Sequence, residues 1–294
     1  MSLFADYRKS LKLVEAEEIL DLCVFRPVAF ILVKAISWTA ITPNQLTILS
    51  LATGIFAGVC YGFGRPAVVL AAGMYAFSVV LDCADGQLAR LKKNGTRLGR
   101  ILDGLIDYFV SASVYVGIYV GLAPRSERRI VWLLLLVAAG VSNIFHSVAL
   151  DYYRSRFIEF ERGPERPSDD DYLSFREELA ALENRRGRVV RKTAIRLYLK
   201  YLDLQKRLTF NWNGHSSPRL VGKEDFHRKN AWALRGWTLL GSTTQETLLI
   251  VTSLLGRIDI YFWGMIVVAN LWMAVMFAVQ FRVDNSLVEE EAVS

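Results

Sequence analysis

Cysteine is scarce in this sequence, and several features that mark large protein classes are missing. The three cysteines of the 294 residues, Cys23, Cys60 and Cys83, have neither the spacing of a metal site nor the density of a disulfide framework. No glycine-rich phosphate loop lies between a predicted strand and a helix, and no segment repeats another. Charged residues interrupt the first stretch of about twenty positions, so we expect no cleavable signal peptide there.

Long apolar stretches are abundant instead. Hydrophobic residues make up 53% of the chain, and a transmembrane helix needs about 20 mostly apolar residues. Six stretches have this character: 46–63, 67–81, 101–123, 130–150, 237–256 and 260–281. The sequence therefore predicts an all-α integral membrane protein with six transmembrane helices.

The distribution of lysine and arginine predicts the orientation, because basic residues favour short cytoplasmic loops. They are concentrated before the first span, in the loop after the second span and between spans four and five. We therefore expect both termini and the loop after the second span to face the cytoplasm. The predicted segments are N-terminal interfacial helices (1–43), spans one to four (44–150), a basic cytoplasmic insertion (151–235), spans five and six (236–282) and an acidic C-terminal tail (283–294).

The insertion has two helical patterns of its own. Leu173, Leu179 and Leu182 are spaced for one helix face. A second face is formed by Ile195, Leu199, Leu202 and Leu208. We expect a cytoplasmic helical hairpin. Two roles stay open for it: a solvated basic surface beside anionic lipid headgroups, or a part in substrate gating or dimer formation.

Four aspartates flank the junction between the second and third spans: Asp82, Asp85, Asp103 and Asp107. Residues three or four apart share a helix face, so the first two lie together, and the last two share a face with Gly99. Asn94-Gly95 between them is a strong turn signal. The third span is therefore expected to return beside the second and to bring the four carboxylates together.

Such a cluster needs a counter-charge, because carboxylates at close range push one another toward protonation. Carboxylate oxygens without nearby His or Cys favour Mg²⁺ or Mn²⁺ over zinc. Four acids suffice for two ions, the usual clamp for displacement at phosphorus. Gly86, Ala89 and Gly99 leave room for a bulky ligand, and Arg90 has the geometry to bind a phosphate bidentately.

The pattern D-x2-D-G-x2-A-R-x8-G-x3-D-x3-D over residues 82–107 resembles the signature of the CDP-alcohol phosphotransferases, also called CDP-alcohol phosphatidyltransferases. The resemblance implies that an acceptor hydroxyl attacks the phosphorus distal to cytidine in a CDP-linked alcohol and releases CMP. It also implies a homodimer. The six-span layout is similar to that of the family, whereas the insertion is longer than the family leads us to expect.

The resemblance also assigns roles to single residues. Asp82, Asp85 and Asp103 would be the principal ligands of Mg²⁺ or Mn²⁺, and Asp107 would complete the metal site and act as general base. Residues at the donor site would be Gly86, Ala89, Arg90 and Gly99, with Arg90 on the diphosphate. The segment TPNQLT before the first span is similar to the family as well; Asn44 is either a helix cap, or Asn44 or Thr47 touches the nucleotide.

Candidates for acceptor binding are polar residues near the cytoplasmic ends of later spans and one acid inside the fifth span. They are His146, Arg154, Arg156, Arg235 and Glu246. The arginines suit a phosphorylated acceptor such as an inositol or glycerol phosphate, and positive-inside anchoring is the other explanation for them. Glu246 at membrane depth predicts a polar cavity or an interhelical contact.

The predicted function is phospholipid synthesis at the membrane, with CDP-diacylglycerol as the leading donor and a hydroxylated acceptor from the cytoplasm. A soluble CDP-alcohol donor with a lipid or polyol phosphate acceptor is the alternative. A cation-coupled transporter and a catalytically inactive lipid-binding relative are more remote, since transport predicts acids spread through the membrane depth. We expect no nucleic-acid partner.

Overall fold

The computed structural model describes residues 3–11, 13–94, 97–123, 128–162, 169–183, 189–209 and 223–293. These residues are almost entirely helical, with no strand among them, so the all-α prediction is confirmed. The helices are α1 (Leu3–Ser10), α2 (Arg26–Ile36), α3 (Pro43–Gly62), α4 (Val68–Lys92), α5 (Arg97–Leu122), α6 (Arg129–Arg162), α7 (Asp169–Glu183), α8 (Val189–Thr209), α9 (Lys223–Thr238), α10 (Ser242–Leu254), α11 (Ile258–Trp263) and α12 (Asn270–Val293).

Four helical stretches in the described part are long and apolar enough to cross a membrane: Pro43–Gly62, Arg65–Lys92, Arg129–Ile158 and Ile258–Leu287. A shorter apolar stretch, Leu105–Gly121, lies where the third span was predicted. The predicted fifth span, 237–256, is broken by a turn at Leu239–Gly241 and retains only the 13 residues of α10. The chain thus has the helices of a multi-pass membrane protein, and the count of six spans stays a prediction.

The ends of α3 and α4 follow from local sequence. At the start of α3, the backbone N–H of Thr42 donates to Gln45 Oε1 at 2.9 Å, and Pro43 occupies the first turn, where a missing N–H costs nothing. At the end of α4, Lys93 adopts a left-handed conformation (φ 52°), which stops the helix just before Asn94. Gly95, the second residue of the predicted turn, lies outside the described residues.

Helix α3 lies between α4 and α5 and is the main neighbour of both. Ser50 Oγ on α3 donates to the Ser78 carbonyl of α4 at 2.9 Å. On the other side, a Cβ at Gly117 of α5 would lie 1.9 Å from the Gly58 carbonyl of α3. We had expected the third span to return beside the second. Helix α5 packs chiefly on α3, where small residues let the two backbones approach closely, as is common between membrane helices. It also contacts α4, through a hydrogen bond between Ser111 and Tyr75.

The N-terminal helices α1 and α2 pack against the helix bundle. Helices α1 and α2 both contact α4, and Ala29 and Val33 of α2 are fully buried in a cluster with Leu81 of α4. Between α1 and α2 the chain makes a 3₁₀ turn (Val14–Ala16) and a π-helical turn (Asp21–Phe25). This segment places its polar residues next to the aspartate motif.

The remaining helices surround this unit. In the insertion, α7 and α8 pack together through Phe175, Leu182 and Ile195, and Leu105 of α5 packs against the same cluster. The predicted tail 283–294 continues α12 as far as Val293. Its first acid, Asp284, forms an ion pair with Arg156 of α6 at 3.0 Å.

Candidate active site

Asp82 and Asp85 lie on adjacent turns near the C-terminal end of α4. Asp85 is 5% exposed, and Asp82 is half-buried. The apolar stretch of α4 brings the helix to this point, and the small residues Gly86 and Ala89 follow in the next turn. Both carboxylates are therefore positioned by a rigid element.

Thr47 of α3 holds the more buried carboxylate. Its Oγ1 donates to Asp85 Oδ2 at 2.5 Å, and only 8% of Thr47 is exposed. The same oxygen lies 3.1 Å from the carbonyl of Pro43, one turn earlier. The packing of α3 on α4 thus fixes the orientation of Asp85 through a side chain outside the motif.

Asp107 lies on α5 and is exposed. It is within electrostatic range of Glu246 on α10. Gly99 and Asp103 also belong to α5, but their immediate surroundings lie outside the described residues. The described part of the motif therefore comprises two carboxylates on α4 and a third on α5.

The donor-site candidates on α4 form one surface. A Cβ at Gly86 would lie 3.4 Å from Nη1 and Nη2 of Arg90, so the guanidinium group extends along the glycine. Arg90 Nε donates to the carbonyl of Ser10 at the end of α1. Ala89 is half-buried on the same helix. The N-terminal segment therefore contacts the predicted diphosphate-binding residue directly.

An N-terminal acid cluster that the sequence did not predict, formed by Glu17, Glu18 and Asp21, lies beside the motif. All three acids are buried. Arg26 Nη2 lies 2.6 Å from Glu17 Oε2 and 3.7 Å from Asp21 Oδ2. Asp21 Oδ1 accepts from Cys83 Sγ, between Asp82 and the rest of the motif, at 3.6 Å.

The same cluster reaches α10, more than two hundred residues later. Glu18 Oε2 accepts from the backbone N–H of Thr244 at 3.1 Å, the position that an N-cap side chain normally serves. A Cβ at Gly241 would lie 2.0 Å from Glu18 Cδ, so glycine is needed at this helix start. Burial, reinforced by the neighbouring Asp21 carboxylate, raises the pKa of Glu18 to about 7.

The arginines proposed as acceptor ligands are paired with protein groups. Arg154 lies 3.8 Å from both Glu18 and Asp151. Arg156 is paired with Asp284, and Arg235 Nη1 donates to the Glu17 carbonyl at 3.0 Å. Arg154 and Arg235 thus converge on the N-terminal acid cluster, whereas Arg156 belongs to a contact between α6 and α12.

The two other acceptor candidates lie inside the bundle. His146 of α6 is fully buried, and its Nε2 is 3.1 Å from Asn270 Oδ1 on α12. Glu246 is half-buried within hydrogen-bonding reach of the Tyr75 hydroxyl, and its electrostatic neighbours are Asp107, Glu18 and Asp21. Glu246 therefore lies near the motif, and His146 links two helices.

The donor set suits a hard divalent cation. Asp82, Asp85 and Asp107 offer carboxylate oxygens only, the ligands that Mg²⁺ and Mn²⁺ favour. Within the described side chains, which do not include Asp103, no group of three or more His, Cys, Asp or Glu residues is arranged to hold a metal ion. The fit therefore rests on the chemistry of the residues.

Known proteins resemble the part of the chain that carries this site. Residues 40–156 match the family model described as CDP-alcohol phosphatidyltransferase. Archaetidylinositol phosphate synthase of Pyrococcus horikoshii is 36% identical over 88 residues, which is 30% of this chain and 46% of that protein. The bifunctional IPC transferase and DIPP synthase of Thermococcus kodakarensis is 27% identical over 117 residues, 40% of this chain and 26% of that protein. Phosphatidylinositol phosphate synthase of Mycobacterium marinum is 28% identical over 116 residues, 40% of this chain and 47% of that protein.

The chain spans less than half the length of these curated relatives. The family match contains all four aspartates of the motif together with Thr47, and it ends at residue 156, close to the start of the predicted insertion (151–235). The N-terminal acid cluster precedes it. Residues 40–156 therefore resemble the CDP-alcohol phosphatidyltransferase family.

Proposed function

We propose that this chain is a metal-dependent CDP-alcohol phosphotransferase of phospholipid synthesis. It transfers a phosphatidyl or other phospho-alcohol group from a CDP-linked donor to an acceptor hydroxyl and releases CMP. The supporting observation is the buried Asp85, held by Thr47 at 2.5 Å, within a motif that lies inside the matched domain. An orientation with the motif and both termini in the cytoplasm, and a homodimeric assembly, are parts of the same proposal.

In this proposal Asp107 takes the proton from the acceptor hydroxyl. The hydroxyl oxygen then forms a bond to the phosphorus distal to cytidine, and the bond between that phosphorus and the bridging oxygen breaks, so that CMP leaves with the electron pair. Its exposure leaves Asp107 accessible to an acceptor. Arg90 binds the diphosphate of the donor, and Gly86 and Ala89 line the cytidine site.

Mg²⁺ or Mn²⁺, two ions by analogy with other phosphoryl-transfer sites, would be held by Asp82, Asp85 and Asp103 with Asp107 completing the set, and would neutralise the diphosphate. Thr47 has a separate, positioning role. Its hydrogen bond keeps one Asp85 oxygen in place, as partners of metal-binding carboxylates commonly do.

CDP-diacylglycerol is the leading donor, because a site at the membrane surface admits acyl chains between helices. A soluble CDP-alcohol donor, with a lipid or polyol phosphate as acceptor, is the second candidate. The acceptor is a hydroxyl compound in both cases.

The test is CMP release by purified protein in detergent, supplied with CDP-diacylglycerol, Mg²⁺ or Mn²⁺ and single acceptors: inositol, inositol phosphate, glycerol phosphate and serine. We expect acceptor-dependent release, and we expect Asp107→Asn to lower it at least about a hundredfold while donor binding persists. Asp225→Asn, which alters an exposed acid paired with Arg228 on α9, is the matched control and should behave as the wild type.

Each contrary result has a distinct meaning. Unchanged turnover in Asp107→Asn would refute the assignment of the general base. Failure to bind CDP-diacylglycerol would refute the lipid-linked donor, and soluble CDP-alcohols would then be tested in the same assay. Failure to bind any CDP-alcohol would refute the proposed function.

A further inference from the structure

The N-terminal segment contributes an arginine that neither the motif nor the family match contains. We propose that Arg26 binds a phosphate oxygen of a substrate in the candidate active site. This inference rests on the proposed function, since the ligand is the diphosphate of the donor or a phosphate on the acceptor. Both sources offer the same chemistry, an anionic phosphate oxygen.

Arg26 lies against the motif helix. It is the first residue of α2, and its carbonyl accepts from Gln87 Nε2 of α4 at 3.1 Å. Gln87 is fully buried, between Asp85 and Arg90 in sequence. The electrostatic neighbours of the Arg26 guanidinium include Asp82, and Arg26 is in turn a neighbour of Arg90. The guanidinium groups of Arg26 and Arg90 therefore both lie near the predicted metal ligands.

The hydrogen-bonding capacity of Arg26 is only partly used. The residue is 6% exposed, and Nη2 is paired with Glu17 at 2.6 Å. Its Nε and Nη1 are buried and have no hydrogen-bond partner among the described residues. Burying charged donors without acceptors is costly. An arginine that served only as the counter-ion of Glu17 would not need these donors buried beside the motif.

The unused donors have the geometry that phosphate requires. Guanidinium N–H groups form a planar fork that binds two oxygens of a phosphate, or one oxygen from two nitrogens, and lysine cannot reproduce this arrangement. Glu17 holds the third nitrogen and so fixes the rotation of the fork. A phosphate oxygen beside Asp82 and its metal ion would satisfy both donors.

The backbone before Arg26 can accommodate the approach of a ligand. Nε and Nη1 are closed off in this structure, so the segment between α1 and α2 must shift when a phosphate binds. That segment contains a 3₁₀ turn and the π-helical turn Asp21–Phe25, which ends immediately before Arg26. Single π-helical turns are frequent at functional sites, and such irregular turns are weaker than continuous α-helix.

The decisive variant is Arg26→Lys, which keeps the charge opposite Glu17 and removes the fork. We expect it to unfold at a temperature close to that of the wild type and to raise the KM of one substrate about ten- to hundredfold. A change in the donor KM identifies the diphosphate, and a change in the acceptor KM identifies an acceptor phosphate. The control is Lys34→Gln, which removes another cation of α2, one that pairs with Asp6 of α1 at 2.7 Å. It should leave both KM values unchanged.

A binding measurement tests the inference independently of catalytic turnover. We would titrate CDP into wild type and Arg26→Lys by calorimetry, and follow hydrogen exchange of residues 14–26 with CDP-diacylglycerol or with the acceptor that supports CMP release. Protection of this segment by one substrate is expected. If Arg26→Lys has the KM values of the wild type, the inference is overturned. If that variant does not fold, the inference is overturned when neither substrate changes the hydrogen exchange of residues 14–26 in the wild type. A wild type that neither binds CDP nor releases CMP would instead refute the proposed function.

Discussion

The hydrogen bond between Thr47 and Asp85 allows a quantitative prediction, because it joins a residue outside the motif to a predicted metal ligand. Both side chains are buried, and the oxygens lie 2.5 Å apart. Thr47→Val keeps the shape and removes the donor. A hydrogen bond to an ionised group contributes about 1.5–3 kcal/mol, which corresponds to about ten- to hundredfold in a binding or rate constant.

The expected result is a loss of that size in metal affinity or in turnover. In Thr47→Val, Asp85 loses the group that fixes one of its oxygens, so a higher concentration of Mg²⁺ should be needed for half-maximal CMP release, or kcat should fall at saturating metal. The assay is CMP release at graded metal concentration with a fixed CDP-linked donor. Thr47→Ser restores the hydroxyl and should remain close to the wild type.

Two results would refute this reasoning. If Thr47→Val and the wild type respond alike to metal and turn over alike, the hydrogen bond does not organise the site. If Thr47→Ser loses as much activity as Thr47→Val, the methyl group and its packing matter, and the hydroxyl does not.

Two further predictions concern stability in detergent. Gly117→Ala places a methyl group 1.9 Å from the Gly58 carbonyl, so α3 and α5 must separate; we expect a loss of about 1–3 kcal/mol in thermal or denaturant unfolding, while Gly73→Ala, which meets nothing within 4 Å, should be neutral or slightly stabilising. The pKa of Glu18 is raised from 4.5 to about 7, so the folded state binds this proton more tightly, and the stability it contributes is complete below pH 4.5 and is lost as the pH rises through about 7. Across this pH window the free energy of unfolding should fall by about 3 kcal/mol. Glu18→Gln should flatten this dependence of the free energy of unfolding on pH. An unchanged slope in the variant would show that Glu18 does not cause the dependence.

The sequence was sufficient for the parts of the site that depend on local spacing. Asp82 and Asp85 are three residues apart on one helix, so any α-helix at this position puts them on the same face. The apolar stretch that contains them is long enough to predict that α4 crosses a membrane, and the helix has the length and composition to do so. These inferences need no knowledge of the tertiary structure.

The N-terminal acid cluster could not be predicted in the same way. Glu17, Glu18 and Asp21 lie in a polar segment of short turns, where acidic residues are ordinarily solvated. Their burial depends on contacts distant in sequence, such as Thr243 Oγ1 donating to Asp21 at 3.0 Å and the N–H of Thr244 donating to Glu18. The only local signal was the spacing of Glu17 and Asp21 by four residues, which is too common to carry weight.

The prediction of the acceptor site is the one that the structure alters most, because its arginines have partners within the protein. Positive charge at the span ends predicted to face the cytoplasm suggested a phosphorylated acceptor, but Arg156 already has Asp284 at 3.0 Å and Arg154 has Glu18 and Asp151 at 3.8 Å. A phosphate that binds Arg156 must displace a carboxylate with nearly the same geometry, so the exchange gains little. Arg154 is held at longer distances, and its Nε is buried without a hydrogen-bond partner among the described residues. If an arginine on α6 binds an acceptor phosphate, the free energy of binding should therefore be more favourable at Arg154 than at Arg156.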